Sequence, residues 1–175
     1  MLATFAALCL TSGTALAKVF YSRNEALALA FPDADHVDDE SVLIGDDQAS
    51  QIEALAKSQL ESRLVRIYRG YRGKELLGYA FIDVHTVRTM PEAFLVVLTP
   101  SGDVRTLRVL AFHEPLEYMP SARWYEQFEQ KNLSAPLRLD GDVHGIVGAT
   151  LSARATTAGV RRALALYQVV VAHAK

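Results

Sequence analysis

The apolar positions of this chain follow two periods. Over residues 21–31 and 46–60 they recur at helical spacing, between 62 and 112 they follow strand-like patterns, and from 150 onward helical spacing returns. The first helical stretch, "YSRNEALALAF" (21–31), opens with Ser22 and Glu25 in the Ser-x-x-Glu order of a capping box, and Pro32 ends it. The second, "DDQASQIEALAKSQL" (46–60), puts Ile52, Leu55, Ala56 and Leu60 on one face and Asp46 and Asp47 at the positive end of the helix dipole. Between them "PDADHVDDE" (32–40) is acidic and has no apolar period, so it reads as a solvated loop; its spacing fits no calcium loop. Four β-rich segments follow: "SRLVRIYRGY", "LLGYAFIDVHTV", "EAFLVVLTP" and "VRTLRVLAF". Arg72–Glu75 and Ser101–Asp103 supply turns. Short connections of this kind predict an antiparallel four-strand meander. The third segment is apolar throughout and is expected at the centre, covered on both faces.

After the meander, "HEPLEYMP" is a loop, and Ser121 is expected to cap a helix through Trp124 and Phe128. A long loop, "NLSAPLRLDGDVHGIVG", leads to a last helix with Val160, Ala163, Leu164, Tyr167, Val170 and Val171 at helical spacing. No repeat or linker interrupts residues 18–175. The expectation is one α+β domain, a twisted four-strand antiparallel meander packed with flanking helices.

Composition narrows the function classes. The 175 residues are 50% hydrophobic and 22% charged, with a formal net charge of −2. That is a globular chain with no general attraction to nucleic acid. Residues 1–17, "MLATFAALCLTSGTALA", form an apolar run ending in an Ala-x-Ala cleavage pattern, although no Lys or Arg precedes it. They read as a truncated signal peptide, which makes the mature domain periplasmic or otherwise extracytoplasmic. Cys9 lies in that segment and is the only cysteine, so no intrachain disulfide is possible. His85, His113 and His144 have no metal-ligand spacing, and Ser121, Ser134 and Ser152 lie in no nucleophile-elbow pattern. No P-loop or dinucleotide fingerprint occurs, and no metal is expected.

The segment that stands out is "HGIVGATLSARATTAGVRRALAL" (144–166). Gly145 and Gly148 let a ligand approach the backbone, Ala149 adds little bulk, and Thr150 holds a hydroxyl at the mouth of the helix. Two readings stand side by side: a phosphate site, or a helix with Thr150 as its N-cap.

"GATLSARATTAGVRRAL" resembles the end of FMN-binding domains, such as those of the C subunit of sodium-pumping NADH:quinone reductase and the G subunit of the Rnf complex. "GYAFIDVHTVRTMPEAFLVVLTPSGDVRTLRVLAFHEPLEYMP" is similar to that family's central meander, and "RWYEQFEQKNLS" to its Trp-x-x-x-Phe segment. The resemblance runs from Lys57 to Tyr167. It implies FMN attached to Thr150 Oγ1 through a phosphoester, put there by a flavinyltransferase that uses FAD. Gly148, Ala149 and the amides near Leu151 and Ser152 would cradle the phosphate. Tyr79, Thr89 and Glu114 fall at motif-like positions facing the flavin, and Arg88 near the phosphate. Two positions depart from the family pattern: His144 stands where it has Asp, and Val147 where it has Ser or Thr. The function implied is an exported electron carrier working with a membrane redox donor or acceptor protein. The alternatives are a flavin reductase holding FMN noncovalently, and a flavin-free binding module on the same fold.

Overall fold

The computed structural model describes residues 18–87 and 89–172. The signal-peptide reading, Cys9 and Arg88 therefore fall outside the described residues. The remainder is a single α+β domain with a six-stranded antiparallel sheet in the order β1-β6-β5-β4-β3-β2, flanked by four helices. The four-strand expectation is thus corrected. β3 (Leu64–Arg72), β4 (Glu75–Val87), β5 (Met90–Leu98) and β6 (Val104–Phe112) form the meander, but a strand is added at each edge.

β2 (His36–Leu43) lies in the stretch read as a solvated loop, and pairs with β3 along its whole length, from His36↔Tyr71 to Leu43↔Leu64. Its apolar period is missing because it is an edge strand exposed along most of its length. Asp39 and Glu40 instead meet Arg66 (3.5 Å) and Arg69 (2.8 Å) on the neighbouring strand. Charge on an edge also discourages pairing with another chain. β1 (Lys18–Val19) has two residues, too few to show alternation, and pairs with Phe112 and Ala111 of β6.

The helices divide between the two faces. α1 (Arg23–Ala30) begins with the capping box: Ser22 Oγ accepts from the Glu25 amide (3.3 Å), and the Ser22 amide donates to the Glu25 carboxylate (2.8 Å). It packs Ala26, Ala30 and Phe31 on Tyr68, Ala80, Leu95 and Val97. The other face carries α2 (Asp46–Ala56), α3 (Ala122–Glu126) and α4 (Thr150–Leu166), over a core that includes Phe81, Phe94, Val96, Trp124 and Phe128. β5 is interior, and Phe94, Leu95, Val96 and Val97 are buried from both sides. α4 runs on into a π-helical turn, Tyr167–Val171. Buried Arg161 on α4 donates to the carbonyls of Leu55 (2.6 Å) and Ala56 (3.2 Å), satisfying the C-terminus of α2.

One turn fixes how α4 ends against the sheet. Gly102 has φ of +91°, and a Cβ there would lie 2.2 Å from the Tyr167 ring. The Tyr167 hydroxyl in turn donates to Pro100 O at 2.9 Å. Gly73 also has positive φ, +57°, but open space around it. Gly102→Ala is expected to lower stability by about 2–4 kcal/mol, from backbone strain plus overpacking. Gly73→Ala should lose only the strain, about 1 kcal/mol. Equal losses in thermal unfolding would show that the Tyr167 contact is not tight.

Candidate functional site: the N-terminus of α4

α4 starts at Thr150, so the residue in the N-cap position is Ala149, which has no side-chain oxygen to offer. Thr150 is therefore not the cap. Its exposed Oγ1 donates only to Ile146 O, at 3.4 Å. The Ala153 amide is the first to find a helical acceptor, Ala149 O at 3.0 Å. Among the described residues, nothing accepts from the amides of Thr150, Leu151 and Ser152. Three N–H groups thus converge at the positive end of a 17-residue helix without a capping side chain.

The approach to this helix end is held by two links. The Trp124 indole N–H donates to His144 O (2.7 Å), and the His144 amide donates to Gln127 Oε1 (2.7 Å). Trp124 packs edge-on against Phe128, with ring centres 5.2 Å apart. Gly148 then turns the chain with φ of +84°, a conformation that favours glycine. Nothing crowds the space its Cβ would take, so it is there for the turn. Asp142 is committed elsewhere. It accepts from the amides of Arg138 (2.9 Å) and Leu137 (3.1 Å) and from Lys131 Nζ (3.1 Å). Partial burial raises its proton affinity, but these donors outweigh it and hold the carboxyl below its ordinary value. Asp142 thus braces the loop.

A cleft of about 150 Å³ opens at the helix mouth. Gly148, Ala149, Thr150, Leu151 and Ser152 line one side, and Val87, Glu114 and Tyr118 the other. Six of the eight residues singled out from sequence therefore come together. Glu114 is buried, and its Oε1 has no hydrogen-bond partner, so it presents a bare acceptor. Leu151 lines the cleft and is an exposed apolar side chain; Val147, Leu116 and Met90, next to lining residues in the chain or across the β4–β5 pairing, are exposed as well.

Two expected site residues are not brought in. Tyr79 is buried at the other end of β4, opposite Leu98, with its ring edge-on to Tyr167 at 5.3 Å. Along a strand, its distance from Val87 is about 26 Å. Thr89 lies exposed in the β4–β5 turn and does not line the cleft.

Sequence reading also missed a charged cluster between β4, β5 and α4. Arg162 donates from Nε to Asp83 Oδ1 (2.8 Å) and from Nη2 to Asp83 Oδ2 (2.7 Å). His85 Nδ1 lies 2.6 Å from the same Asp83 Oδ2, and His85 Nε2 lies 3.7 Å from Glu92 Oε2. His85, Glu92 and Arg162 are buried. The three histidines do not meet: His113 Nδ1 lies 3.0 Å from Pro91 O, and His144 is exposed. Burial disfavours charge on His85, but Asp83 and Glu92 outweigh it and hold the imidazole above its ordinary 6.5. Burial likewise opposes charge on Asp83, and His85 and Arg162 outweigh it and hold that carboxyl below its ordinary 3.8.

The signs fix the pH dependence. The His85 contribution to stability is full below 6.5, the unfolded value, and is lost as pH rises through the raised folded value. The Asp83 contribution is present above 3.8 and is lost as pH falls through the depressed folded value. Urea midpoints should fall on the alkaline side of 6.5, and His85→Gln should remove that slope. A slope unchanged in His85→Gln would assign it to another group.

Among the described residues no three His, Cys, Asp or Glu side chains converge to hold a metal ion, and no helix is long and apolar enough to cross a membrane. The chain matches no protein-family model, and no curated protein matches it significantly.

Proposed function

We propose that this protein is an electron-transfer flavoprotein that carries FMN by a phosphoester on Thr150 Oγ1. The observation that supports this most is an uncapped helix N-terminus with an exposed, weakly bonded threonine hydroxyl at the mouth of a cleft. Unpaired amides and the helix dipole favour a phosphate there. Thr150 Oγ1 is exposed and weakly bonded, which suits attachment. In that step the Thr150 O–P bond forms as the phosphoanhydride of FAD breaks, and AMP leaves with the hydroxyl proton.

The residues present fit the group. The phosphate oxygens match the amides of Thr150, Leu151 and Ser152, and the orphaned Glu114 Oε1 calls for a donor such as a ribityl hydroxyl. About 150 Å³ suits the phosphate end alone, leaving the flavin ring outside. Leu151, Val147, Leu116 and Met90 offer the ring an apolar rest. A ring held there is reachable by a partner protein. When bound, the flavin supplies reversible electron transfer. The chain's own residues anchor it, offset its phosphate charge and shield one side from water. The reading includes attachment by a flavinyltransferase outside the cytoplasm, and exchange of electrons with a membrane redox protein.

The test is colour. Protein exported from cells that also express a flavinyltransferase should absorb in the visible flavin bands, and the chromophore should survive acid precipitation. A chromophore released by acid would indicate a noncovalent flavoprotein, and colourless protein would favour the flavin-free module. Negligible steady-state turnover with NADH or NADPH should distinguish a carrier from a reductase.

A further inference from the structure

Asp83, His85 and Val87 alternate along β4 and so point to the same side of the sheet, toward α4. Val87 lines the cleft, and Asp83 lies against Gly159, where a Cβ would be 2.7 Å from Asp83 Oδ2. α4 therefore runs antiparallel to β4, with Ser152 at the cleft and Gly159 at Asp83. Thr156 falls between them, level with His85. Its Oγ1 is buried without a partner, as are His85 Nε2, both oxygens of Glu92 and the Tyr125 hydroxyl. Unpaired polar atoms begin about 7 Å along the strand from the cleft wall.

The charges explain why this arrangement holds. Asp83 balances Arg162 through two hydrogen bonds. That leaves Glu92, fully buried, facing His85. With His85 protonated, the four groups sum to zero. Without that proton they leave one negative charge out of water, which is costly.

We propose that His85, held between Asp83 and the buried Glu92, binds a proton in a way that is coupled to negative charge placed at the N-terminus of α4. Charge added in the cleft tightens the hold on this proton, and by linkage the bound proton favours charge in the cleft. The groups facing His85 are Asp83 on β4, Glu92 on β5 and Arg162 on α4; Tyr125 on α3 is coupled to Glu92 and packs on Phe94, and Glu114 lines the cleft. In the electron carrier proposed above, one electron from the redox partner and one proton from solvent would then enter together and leave the net charge unchanged. That last step rests on the flavin reading. The coupling between the proton and the charge at the helix end does not.

The test uses flavin-free protein labelled with nitrogen-15 in histidine, with the His85 ring titrated by NMR. Thr150→Glu places a permanent charge at the exposed helix start, and Thr150→Gln is its neutral match. The His85 midpoint is expected to be higher in T150E than in T150Q by roughly half a unit to one unit, a threefold to tenfold gain in proton affinity. Glu92→Gln should lower the midpoint by at least as much. Equal midpoints in T150E and T150Q would overturn the coupling, whether or not E92Q folds. A His85 midpoint that E92Q leaves unchanged would overturn the part assigned to Glu92 in holding this proton. Neither result depends on colour, so failure of the flavin reading would be seen separately.

Discussion

Replacing Arg162 with leucine is expected to lower the free energy of unfolding by about 3–5 kcal/mol. Leucine fills much of the space but gives Asp83 no donor. The Asp83 carboxylate is only 12% exposed and now takes two hydrogen bonds from the guanidinium, so it would keep its charge beside Gly159 with the contact to His85 alone. The penalty is that of stranding the partner, not the net value of the pair. Adding Asp83→Asn should therefore recover part of the loss, because asparagine removes the charge and still accepts from His85 Nδ1. Chemical denaturation of the two variants checks this. An Arg162→Leu protein within about 1 kcal/mol of the parent would mean that water reaches Asp83. Neighbouring Arg161 is the contrast. It donates to carbonyls of Leu55, Ala56 and Pro136, so its loss strands neutral acceptors only, at about 1–3 kcal/mol.

The second large effect is on function without stability. Thr150→Ala is expected to abolish covalent flavin entirely, because no ester can form, while changing stability by no more than about 0.5 kcal/mol. Thr150 is exposed, and its hydroxyl makes one long hydrogen bond to Ile146 O. Since Ala149, not Thr150, occupies the cap position, no cap is lost either. Thr150→Ser keeps the hydroxyl and should keep some attachment. A Thr150→Ala protein that still carried covalent flavin would move the linkage to another hydroxyl, such as that of buried Ser152, which lines the same cleft.

The parts of the fold that follow local rules were legible in the sequence. Ser22 and Glu25 announce α1 because a capping box acts over four residues, alternation announces β3, and an unbroken apolar run announces β5 because both its faces are covered. β2 was not legible. Its Asp38, Asp39 and Glu40 are the residues of a solvated turn, and only the pairing of this edge with β3 makes them a strand. The start of α4 was half legible. The small residues and hydroxyls marked the junction, but whether Thr150 caps the helix or opens it depends on backbone angles that Gly148 and the Trp124–His144 link set. Glu114 was placed by resemblance, and it does reach the cleft. Tyr79 was placed the same way and does not, since β4 carries it to the far end of the sheet. The Asp83–His85–Glu92–Arg162 cluster gave no sequence signal. Asp83 and Arg162 are 79 residues apart, and each alone looks like an ordinary surface charge.

The measurement that bears most directly on the central proposal is the intact mass of the exported protein, made beside a flavinyltransferase. The expected result is a gain equal to FMN less one water, carried on the peptide that contains Thr150. An unmodified mass under conditions where the same transferase modifies a known acceptor would contradict it, and the uncapped end of α4 would then have to serve some other anion.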